Sequence, residues 1–251
     1  MGLLNNKTAI VFGASGKLGV TIARVLFEHG AKVAVHYLSN ASVAERLARE
    51  LDPSGNRMIA LQADSTDECS LESALGRVKA AFGAVDIAVN AIHGAFEPVN
   101  VEDSVFSDWS LHLNALKSHY LICKTVLPEM RLRRFGRIIF VSAAMAVRYV
   151  EGCSMYTAVK RGLNGFCHTV AIEEGRNNIT VNIVAPGGVS DAETQSGGDW
   201  DEMTEQYIKR CALGRFATAR EVANTVVYFA SPLADGITGQ TLYVSGGEIM
   251  N

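Results

Sequence analysis

Short runs of β-branched and aliphatic residues alternate along this chain with segments whose apolar positions recur at helical spacing. Thr8-Ala9-Ile10-Val11-Phe12 is a continuous run of that kind and reads as a buried strand. From Lys17 to His29 the apolar residues Leu18, Ile22, Val25 and Leu26 share one helical face, and Gly30 marks the end of the helix. The pattern then repeats. It predicts a strand over Lys32–Tyr37, a helix over Val43–Leu51 that stops before Pro53, and a strand over Met58–Leu61. Ser65-x-x-Glu68 predicts a capping box at the start of the next helix. Further strands are expected at Val85–Asn90, Arg137–Ser142, Ile179–Val184 and Thr241–Val244. Two long helices are expected at about 106–134, with Pro128 in its late turn, and at Met155–Arg176, and a shorter one at Glu221–Ala230.

Alternation of strand and helix from end to end implies right-handed crossovers. It predicts a doubly wound, Rossmann-like α/β fold, a parallel sheet with helices on both faces. No linker or break in composition interrupts it, so the expectation is one domain over residues 1–251. Gly187 to Trp200 is the least periodic stretch, and a substrate lid is expected at about 187–212.

Composition narrows the class. At 251 residues, 48% hydrophobic and 20% charged, the chain can bury a large core without staples, and disordered, collagenous and coiled-coil classes are excluded. A net charge of −3 gives no field to recruit nucleic acid or an anionic membrane. The five cysteines are odd in number and lack Cys-x-x-Cys spacing, which argues against a disulfide framework or a zinc cage. His112 and His119 have no Cys or acid at ligand spacing, so no metal site is expected. No apolar run approaches the roughly 20 residues of a membrane span. No basic segment precedes a long apolar stretch, and Asn6 stands where N-myristoylation at Gly2 wants Ser or Thr. The expected location is cytoplasmic. The basic run Arg131, Arg133, Arg134 and Arg137 is read as decoration of a helix C-terminus.

Candidate chemistry begins where the first strand runs into Gly13-Ala14-Ser15-Gly16-Lys17-Leu18-Gly19 and a helix follows. A glycine turn in that context lets backbone approach a pyrophosphate, which the helix N-terminus then stabilises. In dinucleotide folds an acid at the end of the second strand binds the ribose 2′-OH. Here that strand ends Tyr37-Leu38-Ser39-Asn40 with no acid, while Lys17 adds a cation to the turn, so NADP(H) is expected over NAD(H). Farther along, Tyr156 and Lys160 stand four apart on one predicted helical face. An ammonium beside a phenol favours the phenolate, and the expectation is a lowered Tyr156 pKa and acid/base work at a carbonyl or alcohol oxygen.

The order of these features, with Asp64 after the third strand, Asn90 after the fourth, Asn114 in the long helix and Pro186-Gly187 after the sixth, strongly resembles the short-chain dehydrogenase/reductase family. Leu127-Pro128-Glu129-Met130, Gly136-Arg137-Ile138-Ile139, Leu213-Gly214-Arg215-Phe216 and the closing Val244-x-Gly246-Gly247 fit as well, so the resemblance spans the chain. It implies Tyr156 as general acid in reduction, Lys160 lowering its pKa and holding the nicotinamide ribose, and Asn114 holding a relay water. It implies Asp64 and Ser65 at the adenine, Asn90 and Ala91 near the cofactor, and Pro186, Gly187 and Val189 at the nicotinamide amide. It also implies a small-molecule substrate and a homotetramer formed through the two long helices.

The departures cluster at the reacting end. The family's serine, thirteen places before the tyrosine, is Ala143, and Ser142 is one place early, on what alternation makes the opposite side. Losing one such donor costs on the order of 10²–10³ in rate. The usual Asn-Asn-Ala-Gly is Asn90-Ala91-Ile92-His93, the first residue of the phosphate-turn motif is Phe12 instead of Thr, and the lid threonine is Asp191. The basic residue at 17 is similar to the pteridine-reductase-like, NADPH-using branch. Three readings follow: a carbonyl reductase in which His93 supplies the missing hydrogen bond, a reductase of an imine or conjugated C=C bond, or a non-catalytic NADP(H)-binding regulator. The acidic lid residues Asp191, Glu193, Asp199, Asp201 and Glu202 are compatible with a cationic substrate. By resemblance, Arg148 and Tyr149 join His93 and Ala143 at the substrate pocket.

Overall fold

The computed structural model describes residues 2–93, 97–190 and 202–250. Seven strands form a parallel sheet in the order β3-β2-β1-β4-β5-β6-β9, where β1 is Thr8–Phe12, β2 Lys32–Tyr37, β3 Met58–Gln62, β4 Ile87–Asn90, β5 Gly136–Val141, β6 Ile179–Pro186 and β9 Thr241–Val244. The helices between them are α1 (Lys17–Glu28), α2 (Ala41–Leu51), α3 (Glu68–Phe82), α4 (Phe106–Arg133), α5 (Met145–Arg148), α6 (Ser154–Glu174), α7 (Glu202–Arg210) and α8 (Ala219–Ala230). A two-stranded pair joins β7 (Val189–Ser190) to β8 (Ala217–Thr218). This is the expected doubly wound fold.

The central strands are apolar because both faces are covered. Every residue of β1, β5 and β6 is buried. Alternation divides them between two cores. Ile139 and Val141 of β5 pack with α1 and α8, while Ile138 and Phe140 pack with α4 and α6. The predicted boundaries hold within a few residues, with three informative exceptions. The start of α3 is capped by Asp67, whose carboxylate accepts the Ser70 N–H at 3.0 Å, and not by Ser65. A carboxylate outdoes a hydroxyl there because it also meets the helix dipole, and Ser65 is buried in the preceding turn. Both α5 and α7 lack a periodic signal long enough to read, α5 because it has four residues. The arginine run divides: Arg131, Arg133 and Arg134 are exposed at the C-terminus of α4, as expected, though Arg131 also pairs with the fully buried Glu174 and Arg133 with Asp86 at 2.7 Å. Arg137, on β5 itself and 3% exposed, pairs with Asp235 at 2.6 Å, and a guanidinium buried to this degree must be paired.

The order of the sheet reverses between β1 and β4, and there the chain leaves β1 through Gly13. The turn is held from β2 by His36. Its Nδ1 accepts the Gly13 N–H at 3.2 Å, and its Nε2 donates to the Ala63 carbonyl at 3.0 Å. One nitrogen accepting and one donating is the pattern of a neutral imidazole. Burial pushes the His36 pKa down to about 4 from 6.5, with the Ala63 hydrogen bond and Asp64 acting weakly the other way.

A pKa depressed by folding means the unfolded chain binds the proton more readily, so stability is lost as pH falls from 6.5 through about 4. The full loss attributable to this group is about 3 kcal/mol. Urea unfolding of the wild type and of His36→Gln, measured between pH 7 and pH 4, is expected to show a steeper acid loss for the wild type. Parallel losses would refute the neutral bridge.

Candidate active site

The sequence places glycine where the C-terminal ends of β1 and β4 nearly touch. Gly13 adopts φ +75°, and a Cβ there would stand 3.0 Å from the backbone of Ala91 and Ile92. A Cβ on Gly19, in the first turn of α1, would come within 2.3 Å of the Gly13 carbonyl oxygen. Gly16 is the N-cap of α1 and no side chain caps it, so the helix presents its first N–H groups to the space above the turn. This is the cradle a pyrophosphate requires.

That cradle opens into a cavity of about 710 Å³. Of the residues singled out from the sequence, Gly13, Ser15, Gly16, Lys17, Leu18, Gly19, Ser65, Ala91, His93, Tyr156, Lys160, Pro186 and Val189 line it. Tyr37, Ser39, Asn40, Asp64, Asn90, Asn114, Ala143 and Gly187 do not. Ser39 and Asn40 are exposed just beyond β2, where Asn40 accepts the Ser42 hydroxyl, and Leu38 and His36 form the wall in their place. The Asp64 carboxylate accepts the N–H and the hydroxyl of Thr66, at 2.8 and 2.7 Å, and those bonds hold its pKa below the usual value. Asn90 braces the scaffold: its Oδ1 accepts the Ile92 N–H at 2.9 Å, and its Nδ2 reaches His119 Nδ1 at 2.9 Å and Ser118 at 3.3 Å. Gly187 packs against Ser245 and Glu248.

Two expectations at the reacting end change. Ser142, not Ala143, forms the wall beside Tyr156 and Lys160. Ser142 is 6% exposed and its Oγ has no hydrogen-bond partner among the described residues. Two-residue alternation explains its position, because Ser142 continues the face of Ile138 and Phe140 toward α4 and α6. Asn114 is exposed on α4, while His112, Ser118 and His119 of the same helix are buried.

The Lys160 ammonium is buried, donates to the Val141 carbonyl at 3.2 Å and stands 5.6 Å from the centre of the Tyr156 ring. Burial lowers the Lys160 pKa to about 8. Burial, with Cys153 nearby, raises Tyr156 to about 12. This reverses the expected lowering of the phenol, because desolvation of the phenolate outweighs the neighbouring cation. At neutral pH the pair is therefore a phenol that holds its proton beside a charged lysine.

A second cavity, of about 810 Å³, lies between the loop after β4, the α5 region and α7, and includes Pro98, Met145, Cys153 and Tyr207 in its walls. Arg148 lines it, stacks 4.4 Å from the Tyr207 ring and pairs at 2.5 Å with Glu248, which is 3% exposed. Tyr149 is exposed, at φ +54°, and lines neither cavity. Asp191, Glu193, Asp199 and Asp201, with the rest of residues 191–201 of the expected lid, lie outside the described residues, and Glu202 opens α7. His36, Leu38, Ile92, Val141 and Ala219 complete the 710 Å³ cavity without any motif to announce them.

A family model described as enoyl-(acyl carrier protein) reductase matches residues 13–248. Among curated proteins, the 3-oxoacyl-(acyl-carrier-protein) reductase of Staphylococcus epidermidis is 33% identical over 98% of this chain and all of its own length. The protein of that name from Escherichia coli K12 is 35% identical over 97% of this chain and 98% of its own. Among solved structures, a double phenylalanine-to-leucine variant of a Serratia marcescens short-chain dehydrogenase/reductase superposes with a TM-score of 0.86, at 30% identity over 98% of both chains. Agreement this long, reaching from the glycine turn to the last turn of the chain, makes this protein an oxidoreductase of the short-chain dehydrogenase/reductase family.

Proposed function

We propose that the protein is an NADP(H)-dependent reductase of a small organic carbonyl, with Tyr156 as the acid that protonates the reacting oxygen. The observation that carries this reading is the single 710 Å³ cavity running from the glycine cradle to the Tyr156–Lys160 pair. When bound, the reduced nicotinamide supplies a hydride to the substrate carbon. Lys17 would face the 2′-phosphate, the α1 N-terminus the pyrophosphate, and Pro186 and Val189 the nicotinamide end. Tyr156 would give its proton to the substrate oxygen, and the Lys160 charge would stabilise the phenolate left behind. The names of the curated relatives support a 3-oxoacyl substrate. That of the family model supports an enoyl C=C bond as the second reading. A homotetramer formed through α4 and α6 and a cytoplasmic location complete the proposal.

Cofactor choice is tested by fluorescence titration. Lys17→Ala is expected to weaken NADPH binding about tenfold or more while leaving NADH nearly unchanged, as removal of one phosphate-facing cation should. Equal effects on both would remove Lys17 from the 2′-phosphate. Tyr156→Phe is expected to abolish NADPH oxidation over a panel of 3-oxo esters, imines and enones while NADPH still binds. Turnover confined to enones would move the assignment to the C=C bond, and retained turnover would remove Tyr156 from the chemistry. Because Lys160 loses its charge near 8, the kcat/KM of reduction is expected to fall as pH rises through that value. Ser142→Ala is expected to slow carbonyl reduction by about 10² or more, because its hydroxyl, without a partner among the described residues, faces the cavity beside Tyr156 and Lys160. An unchanged rate would mean that another group supplies the hydrogen bond.

A further inference from the structure

Asn114, to which the resemblance assigns a relay, is exposed on α4 and does not line the 710 Å³ cavity. What α4 turns toward Tyr156 is His112. It is 6% exposed, and its ring lies 6.1 Å from the Tyr156 ring, centre to centre, at 82°. Burial lowers the His112 pKa; Asp108, half-buried one turn earlier on α4, acts the other way, and Lys160 on α6 adds to the lowering. His119, farther along the same face, is fully committed elsewhere, with Asn90 on one side and the Phe140 ring on another.

We propose that His112 is a proton-relay residue of this enzyme, acting through Tyr156. The inference rests on the reductase reading. In reduction the carbonyl π bond breaks as carbon gains the hydride, and the Tyr156 O–H bond breaks as its proton passes to the oxygen. The phenolate then takes a proton from one N–H of the neutral His112 ring, and as that bond breaks the other ring nitrogen accepts a proton from solvent, so the ring stays neutral. In oxidation the same path runs backward, with neutral His112 accepting. Burial and Lys160 together outweigh Asp108 and keep the resting imidazole neutral, with one ring nitrogen protonated and the other open to accept.

Two measurements on the full chain test this. The first needs no turnover: His112 is titrated by ring-proton NMR, its signals assigned by their loss in His112→Phe, in the wild type and in Tyr156→Phe. A titration that moves when the phenol is removed is expected, and an unmoved one overturns the proposal. The second is kinetic, with NADPH and a simple 3-oxo ester. His112→Phe keeps an aromatic ring against Tyr156 and is expected to lower kcat about tenfold or more while the KM for NADPH stays within about twofold. Added imidazoles of graded pKa are expected to rescue His112→Ala in proportion to their basicity. A kcat and pH profile unchanged in His112→Phe, or no graded rescue, would return His112 to a packing role and overturn the proposal. A wild type that oxidises no NADPH with any carbonyl defeats the reductase reading instead, and the NMR titration still decides whether His112 and Tyr156 are coupled.

Discussion

Two backbone segments approach one another at the point where the sheet reverses direction, and the rest of the site depends on that approach. The turn after β1 and the chain leaving β4 are so close that any side chain at Gly13 would press on the peptide of Ala91. Closeness of this kind aims backbone N–H groups upward without intervening side chains, which is what a phosphate requires. It also leaves the Gly13 N–H in need of an acceptor, because no strand partner is available at that point. A ring on the neighbouring strand supplies one. His36 is thus a structural residue whose uncharged state is a condition for the shape of the turn.

The same economy governs the reacting end. Burial sets the protonation of the pair on α6 in opposite senses, raising the phenol and lowering the ammonium. A phenol that keeps its proton is suited to giving it away only if the product phenolate is stabilised, and the buried ammonium beside it is placed for that. The cost of burying Lys160 is met in part by the Val141 carbonyl at the end of β5. Scaffold and site therefore share the same strand end, and the last residues of β5 carry a packing role and a chemical one together.

How much of this was legible without coordinates follows from which signals are local. The strands and most helices were, because apolar periodicity is a short-range property. The glycine turn, Tyr156 and Lys160 were too, since their spacing along one segment fixes their relation in space. Residues brought in from other elements were not. His36 sits inside an apolar strand and looks like core. Ser142 was set aside for pointing the wrong way, although the alternation of Ile138 and Phe140 gives its direction correctly. Asn114 matches a pattern in sequence, and in the fold it is exposed and does not line the 710 Å³ cavity. Asp64 was legible as a polar residue after β3, but its local turn with Thr66 claims the carboxylate first.

The ion pair between Arg148 and Glu248 joins residues 100 positions apart and closes the wall of the second cavity with the final turn of the chain. During synthesis the glycine turn, β4 and the Tyr156 helix all leave the ribosome well before Glu248 does. The loop after β5 therefore gains this anchor only once Glu248 has been made, 100 positions after Arg148. The order of manufacture thus leaves one wall of the second cavity waiting on a residue that emerges long after the loop itself.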